Sequence, residues 1–410
     1  MNASPELPGQ PADRTSLPAT LRQWHAVYPL VGNPPNTLLS VPDDLLQYVV
    51  AAARNIPCTP PVCSPGAWGQ VFDCLRPHGI IPLLAWHLSS WPEECQPPEV
   101  ILSGLKEVLF YGAVRNLRMG PQIRQVLDAF NEAGIQVLLV KGPALARTVY
   151  PDPALRQSSD IDLMIRPEDF LRCERVMETL GYSCPARTYH ISPHAFHHQA
   201  FLPGNSGVMV EVHWMADFGY GYFPKNWLIN SMERKIHVES KDLAFDTLHP
   251  LDHFQFLVLH NIIQHNHRRL DWIMDIARLV QEFSTPGEWK AVQASSVMNH
   301  TRIPVEIALN EAELWSGQPL PANVADFSTW PAPSAREVHL WQYARTQEVS
   351  AYAAIRLHLS GLPGYSEKLK YCGRFIVLPP HLMTGYRRSK GRLDPYLAHL
   401  RRWWSIIHHL

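Results

Sequence analysis

Apolar and polar positions change their period twice along the chain. Apolar residues recur at helical spacing over Asp43–Ala53, Trp68–Trp91 and Glu99–Ala133, so residues 41–134 are expected to form an N-terminal helical region. Prolines inside the second stretch predict two short helices there, because a proline removes a helical N–H and clashes with the preceding turn. Residues 1–40 are rich in proline and small polar residues, which favours a disordered leader.

Strand-like alternation marks the centre of the chain. Runs rich in β-branched and apolar residues predict strands, and the last two are joined by a turn that contains glycine. The predicted strands are Gln136–Val140, Asp160–Ile165, Phe196–Leu202 and Val208–Trp214. We therefore expect residues 135–240 to form a mixed α/β core.

Helices are predicted between these strands and again after residue 240. One covers Ala144–Tyr150, with Pro143 at its first position, where the fixed φ of proline suits a helix start. Another covers Pro167–Leu180. Helical spacing then returns over Asp252–Gln264, Leu270–Phe283, Pro304–Trp315 and Ala335–Leu359. The expected fold class is α+β: a small mixed-sheet core embedded between the N-terminal helical region and a C-terminal helical region, residues 241–410.

Composition and charge narrow the class of protein. The 410-residue chain has a formal net charge of −1, so no overall field attracts nucleic acid, and a long nucleic-acid partner is disfavoured. No apolar run reaches the roughly 18–20 residues that cross a bilayer, and a secretion signal is not recognisable. Seven cysteines without paired spacing indicate free thiols in a reducing compartment, so we expect a cytoplasmic protein.

The last thirty residues differ in charge from the rest of the chain. They carry six arginine and lysine residues against one aspartate, together with Trp403 and Trp404. We interpret this tail as a helix with a solvated basic face. Docking of a partner or of an anionic surface is the alternative.

Asp160 and Asp162 are the first candidates for chemistry. Side chains alternate along a strand, so both aspartates fall on one face while Ile161 and Leu163 fall on the other. Their Cα atoms would lie about 6–7 Å apart, where like charges repel and a cation between them is stabilising. Carboxylate oxygens are ligands that suit Mg²⁺. The alternative is two solvated aspartates at the start of a strand.

A second acidic strand follows in Val208–Trp214. Its valines point one way and Glu211 and His213 point the other, so Glu211 is expected on a half-buried strand. Burial of an unpaired carboxylate is unfavourable, which indicates a partner such as a metal ion. An edge strand with Glu211 in solvent is the alternative. His213 shares the face of Glu211 and is expected to orient it, to lie near an acceptor, or to pack beside Trp214.

Candidates for phosphate binding surround these carboxylates. Lys141 and Gly142 stand at a strand-to-helix junction, where glycine lets the backbone approach a ligand and the free N–H groups of a helix start favour an anion. Arg156, Ser158 and Ser159 shortly precede the aspartates and could donate hydrogen bonds to phosphate oxygens. Each residue is common in turns or loops by itself. Their order along the chain is much less common than its parts.

This order of motifs resembles the uncharacterised nucleotidyltransferase family of the DNA polymerase beta-like superfamily. The resemblance rests on Lys141-Gly142, on the Asp-x-Asp strand at 160–162, and on the Glu-x-His-Trp strand at 211–214. It extends into the helical segments on both sides. The wider superfamily has Gly-Ser or Gly-Gly where this chain has Lys-Gly.

The resemblance implies transfer of a nucleoside monophosphate from a nucleoside triphosphate (NTP) to a hydroxyl acceptor. Asp160, Asp162 and Glu211 would be catalytic and would hold Mg²⁺, with two ions expected and Mn²⁺ as an alternative; His213 would lie on the acceptor side. The residues implied in nucleotide binding are Lys141, Gly142, Arg156, Ser158 and Ser159. A sugar, a small antibiotic-like molecule, a protein hydroxyl and an RNA end stay open as acceptors.

Two other functions stay open. A non-catalytic module on the same fold could bind a nucleotide or a protein partner, although three converging carboxylates argue against a site without metal. A group of histidines with Asp271 suggests a helical metal-dependent phosphohydrolase, but it lacks a compact ligand motif. These histidines are His249, His253, His260, His265 and His267.

Overall fold

The structure is a computed structural model that describes residues 41–184, 196–204, 206–216, 222–224, 226–265 and 269–345, with four residues between 365 and 369. The predictions for residues 1–40 and for the basic C-terminal tail lie outside the described residues. The same holds for His267 and for the end of the last predicted helix, beyond residue 345.

The first described part is helical, as predicted. Its helices are α1 (Asp43–Arg54), α2 (Pro65–Leu75), α3 (Ile81–Ser90) and α4 (Glu99–Glu132). The hydroxyl of Ser64 caps α2 by accepting from the N–H of Ala67. Proline separates α2 from α3, also as predicted: Pro77 lies in the short 3₁₀ turn after α2, and Pro82 lies in the first turn of α3. Apolar side chains of α1 to α3 pack in one cluster with the start of α4.

A five-stranded mixed sheet forms the centre. Its strands are β1 (Val137–Val140), β2 (Asp160–Ile165), β3 (Tyr182–Ser183), β4 (His198–Pro203) and β5 (Met209–His213). They lie in the order β1-β2-β5-β4-β3, and only the pairing of β2 with β5 is parallel. The α+β fold class is confirmed, and β2 has the predicted bounds.

The two faces of the sheet have different surroundings. On one face, apolar side chains of β1, β2 and β5 pack against α4 and against α6 (Phe170–Thr179). The sheet residues of this cluster that are fully buried are Leu139, Ile161, Leu163, Ile165, Phe201, Val210 and Val212. On the other face, Leu138, Val140 and Met164 join a cluster with the C-terminal helices. The carboxylates of β2 and β5 lie on this second face, as the alternation predicts.

The helix after β1 begins earlier than predicted. Helix α5 covers Lys141–Thr148, so it starts directly after β1, and Pro143 occupies its third position rather than its first. Proline did not fix the start, because none of the first N–H groups of a helix has an intrahelical acceptor. One of these groups has another partner, since the N–H of Lys141 donates to His253 Nε2 at 3.1 Å.

The remaining elements are mostly helical. They are α7 (Trp227–Glu233), β6 (Ile236–Glu239), β7 (Ala244–Thr247), α8 (Pro250–Val258), a π-helical turn (Leu259–Gln264), α9 (Leu270–Leu279), α10 (Pro286–Met298), α11 (Arg302–Ser316), α12 (Ala322–Ala325) and α13 (Ala335–Arg345). Helices α7, α10 and α12 and the β6–β7 hairpin were not predicted, and residue 240 lies between the two hairpin strands. Among the described residues, no helix combines the length and apolar character that crossing a bilayer requires.

Neighbouring residues of β4 provide a test of the two faces. Phe201 is 0% exposed and Leu202 is 41% exposed. We expect Phe201→Ala to lower the free energy of unfolding by about 3–5 kcal/mol, because it leaves a cavity against Phe170. Leu202→Ala is the matched control and should change it by only about 0.5 kcal/mol. Urea denaturation followed by circular dichroism measures both, and equal effects would contradict the assignment of faces.

Candidate active site

The three predicted carboxylates come from two adjacent strands. In the parallel register of β2 and β5, Asp162 lies directly opposite Glu211, and Asp160 lies opposite Met209. Asp162 is only 4% exposed. Strand β5 lies between β2 and β4, so Glu211 is not on an edge strand. The alternation seen in sequence thus produces an acidic row across the sheet.

The acidic row concentrates negative charge in a buried place. Burial, followed by the charge of Asp162, raises the pKa of Glu211 to about 7. Burial and the same neighbour also raise the pKa of Asp160. Burial and a like charge both disfavour the ionised carboxylate, and a cation beside it offsets that cost. The site therefore favours a bound cation.

Lys141 supplies one positive charge to the row. Its Nζ lies 2.7 Å from Asp162 Oδ1, and the residue is buried. Its backbone is in the left-handed region, with φ at 53°. Burial lowers the pKa of His253 to about 3, so this imidazole is neutral and can accept the hydrogen bond from the N–H of Lys141. Lys141 is thus fixed between a carboxylate and a core histidine.

Gly142 lies against Ser158. A Cβ added to Gly142 would lie 2.4 Å from Ser158 Oγ, closer than atoms can approach. Ser158 is 5% exposed, and within the described part of the chain its hydroxyl has no hydrogen-bond partner. The hydroxyl therefore has capacity to bind a ligand in the adjoining cavity.

Arg156 is paired with two carboxylates of α9. Its Nε and Nη2 lie 2.8 and 2.7 Å from the carboxylate of Asp275, and its Nη1 lies 3.1 Å from Asp271 Oδ2. The guanidinium also donates to the carbonyl of Gln157. All three charged side chains are buried. Although burial acts to lower it, the two aspartates hold the pKa of Arg156 well above its usual range.

A cavity of about 210 Å³ opens beside the acidic row. Every nucleotide-binding and catalytic candidate from the sequence lines it, so the structure brings the whole predicted set together. Further lining residues come from the segment before β2, from β4 and from the segment 257–275. These additional residues are Gln157, His198, Leu257, His260, Gln264, His265, Arg269, Trp272 and Asp275.

Two histidines of the site were missed by the sequence analysis. His198 pairs across strands with His213, and His197 precedes it. His213 Nε2 lies 3.0 Å from Asp162 Oδ1 and 3.7 Å from Glu211 Oε2. Burial, followed by the charge of Lys141, lowers the pKa of His198 to about 4. The predicted strand over 196–202 was the available signal, but the register that brings His198 to His213 is not visible in sequence.

Of the four described histidines of the phosphohydrolase hypothesis, His260 and His265 contact each other, with ring centroids 4.6 Å apart, whereas His249 and His253 make separate contacts. His253 binds the backbone of Lys141, and His249 caps α8. His260 and His265 contact the ring of Trp272, with centroid distances of 4.8 and 4.6 Å. Of the groups of described residues that could hold a metal ion, none contains any of these four histidines.

Comparison with known families gives the assignment. Residues 64–317 match the model of a family described as uncharacterised nucleotidyltransferase. The chain belongs to this family. The resemblance drawn from its motifs is confirmed, and the protein is a transferase enzyme. No match was found among the curated proteins.

The buried ion pairs of this nucleotidyltransferase provide a stability test. Arg156→Met takes the paired guanidinium away from the buried carboxylate of Asp275 and leaves Asp271 with Arg269 alone, so we expect the free energy of unfolding to fall by about 3–5 kcal/mol. Arg76→Met is the control, because the Arg76–Asp73 pair is largely exposed. This variant should change the free energy of unfolding by less than about 1 kcal/mol. Urea denaturation measures both. A stable Arg156→Met variant with weakened NTP binding would instead favour a role for Arg156 as a phosphate ligand.

The contact between Gly142 and Ser158 provides a second test. We expect Gly142→Ala to destabilise the protein by about 1–3 kcal/mol, because the added Cβ meets Ser158 Oγ. The double variant Gly142→Ala/Ser158→Ala lacks that oxygen and should recover most of the stability that Gly142→Ala loses. Gly104→Ala is the control, since no atom lies within 4 Å of its added Cβ. Thermal denaturation checks all three, and absence of rescue would contradict the steric explanation.

Proposed function

We propose that this nucleotidyltransferase is metal dependent and transfers a nucleoside monophosphate from an NTP to a hydroxyl acceptor. The observation that carries the proposal is the placement of Asp162 opposite Glu211, with Asp160 on the same face. Three buried or half-buried carboxylates with one lysine leave negative charge uncompensated. Their oxygen atoms are the donors that Mg²⁺ prefers. The residues present therefore fit the expected ion, with Mn²⁺ as an alternative.

The transfer forms a bond between the acceptor oxygen and the α-phosphorus of the NTP. The bond from the α-phosphorus to the bridging oxygen breaks, and pyrophosphate leaves. Mg²⁺, when bound, would neutralise phosphate charge and lower the pKa of the acceptor hydroxyl. Asp160, Asp162 and Glu211 would hold two such ions. An oxygen of Glu211 that does not bind metal would accept the proton of the acceptor.

The triphosphate would lie along Gly142, Ser158 and Ser159. The absence of a side chain at Gly142 leaves room for Ser158 Oγ, and this hydroxyl, which has no hydrogen-bond partner among the described residues, can donate to a phosphate oxygen. Lys141 lies beside Asp162 and would offset negative charge of the triphosphate. These nucleotide contacts are proposals that rest on cavity lining and on free hydrogen-bonding capacity.

Arg156 has a different role in the proposal. Its guanidinium is already paired with Asp271 and Asp275, so we assign it the positioning of the segment that leads to β2. The earlier prediction that Arg156 contacts phosphate stays a prediction. His213 contacts the carboxylates of both Asp162 and Glu211. It would therefore orient these two side chains or lie near the acceptor.

Nucleotidyl transfer is tested with each α-³²P-labelled NTP, Mg²⁺ or Mn²⁺, and a cell extract as the source of acceptors. We expect label to appear in a product only when metal is present. Glu211→Gln should lower transfer at least about 100-fold, because loss of a metal ligand removes several kcal/mol of transition-state stabilisation. Glu239→Gln changes an exposed glutamate on β6 and should leave the rate unchanged.

The Asp160→Ala/Asp162→Ala double variant completes the experiment and should be inactive while still folded by circular dichroism. Transfer that survives in this variant would remove the acidic row from the mechanism. NTP binding without transfer and without metal dependence would favour the non-catalytic module instead.

A further inference from the structure

Three imidazoles converge at the end of the acidic row. His198 on β4 lies opposite His213 on β5, and His197 precedes β4. One ring nitrogen of each histidine lies within 4.8 Å of those of the other two. His198 Nδ1 and His197 Nε2 are 2.7 Å apart, and Gln264 Nε2 lies 3.2 Å from the same nitrogen of His197. Three ligand atoms at this spacing can share one ion.

The carboxylate of Asp162 determines which ring nitrogen of His213 carries the hydrogen. Lys141 Nζ and His213 Nε2 both contact Asp162 Oδ1, at 2.7 and 3.0 Å. Oδ1 is the acceptor for the ammonium of Lys141, and His213 donates to the same oxygen through its Nε2–H. The second nitrogen, Nδ1, then carries a lone pair. It is buried and has no hydrogen-bond partner among the residues that the structure describes.

This arrangement is the one that metal-binding histidines adopt. In such sites one ring nitrogen donates to a carboxylate, which fixes the tautomer, and the other nitrogen binds the ion. A buried imidazole lone pair without a donor is otherwise unfavourable. The orphaned nitrogen of His213 is thus a second observation, besides the clustering, that points to a bound ligand.

We infer that His197, His198 and His213 bind a transition-metal ion of the Zn²⁺ type, separate from the Mg²⁺ ions proposed for the carboxylates. Imidazole nitrogen suits Zn²⁺ and its neighbours, whereas oxygen donors suit Mg²⁺. The two sets of donors lie side by side on one face of the sheet. Each set therefore selects a different class of ion, and excess Mg²⁺ does not displace the ion held by the histidines.

Equilibrium dialysis of the full chain against Zn²⁺, in excess Mg²⁺ and without NTP, tests this inference. We expect one Zn²⁺ per chain in the wild type, and an affinity at least about tenfold lower in His198→Gln, which lacks one ligand. His237→Gln is the matched control, because His237 is an exposed histidine that pairs with Asp246, and it should bind as the wild type does. Circular dichroism confirms folding, and His197→Gln replaces His198→Gln if that variant does not fold.

Co²⁺ in place of Zn²⁺ identifies the ligands. Binding by the imidazoles should give visible d–d absorption that is lost in His198→Gln and kept in Asp160→Asn. Absorption that is kept in His198→Gln and lost in Glu211→Gln would place the ion on the carboxylates and overturn the inference. A sulfur-to-metal band that no histidine variant changes would place it on cysteine and also overturn it. Because neither measurement contains NTP, failure here leaves the proposed transfer activity untouched, and failure of transfer leaves this site intact.

Discussion

The parallel pairing of β2 with β5 is the contact on which the site depends. It sets Asp162 beside Glu211, and the same register pairs Ile161 with Val210 and Leu163 with Val212 on the opposite, apolar face. Burial, followed by the neighbouring charge of Asp162, disfavours the ionised form of Glu211 and raises its pKa. The fold accepts this cost because valine, isoleucine and leucine on the opposite face of the same strands pack against α4 and α6. Hydrophobic burial on one face of the sheet therefore compensates for the unfavourable free energy of the buried charges on the other face.

The charges around the row come from distant parts of the chain. Lys141, at the start of α5, lies against Asp162, and its own backbone is fixed by His253 of α8. Arg156 joins the segment before β2 to α9 through Asp271 and Asp275. Buried charges are tolerated when they are paired and hydrogen-bonded. These contacts attach the C-terminal helices to the sheet, so the wall of the cavity and the acidic row are held by the same interactions.

The cavity has walls of different chemistry. Carboxylates and hydroxyl groups come from the sheet and from the segment before β2, whereas Trp272, His265 and Arg269 come from the C-terminal part. Arg269 lies over the ring of Trp272 at 5.0 Å and also pairs with Asp271. A nucleotide has phosphates, a sugar and an aromatic base, and this cavity offers polar and aromatic surfaces within one volume. Membership of a nucleotidyltransferase family agrees with that composition.

The sequence by itself determined which side chains share a face. The bounds of β2, the common face of Asp160 and Asp162, and the burial of the valines around Glu211 all follow from the period of two along a strand, which is a local property. Helix start signals were less informative, because Pro143 is compatible with more than one of the first helical positions.

Only the tertiary structure decided which residues meet. Arg156 binds Asp275, which lies 119 residues away along the chain, and the sequence alone predicted a phosphate partner for it. His198 reaches His213 through the antiparallel register of β4 and β5, and the acidic row needs the parallel register of β2 and β5. Periodicity fixes the direction of a side chain relative to its own strand. The neighbour across the sheet depends on strand order and register, which arise from packing of the whole chain.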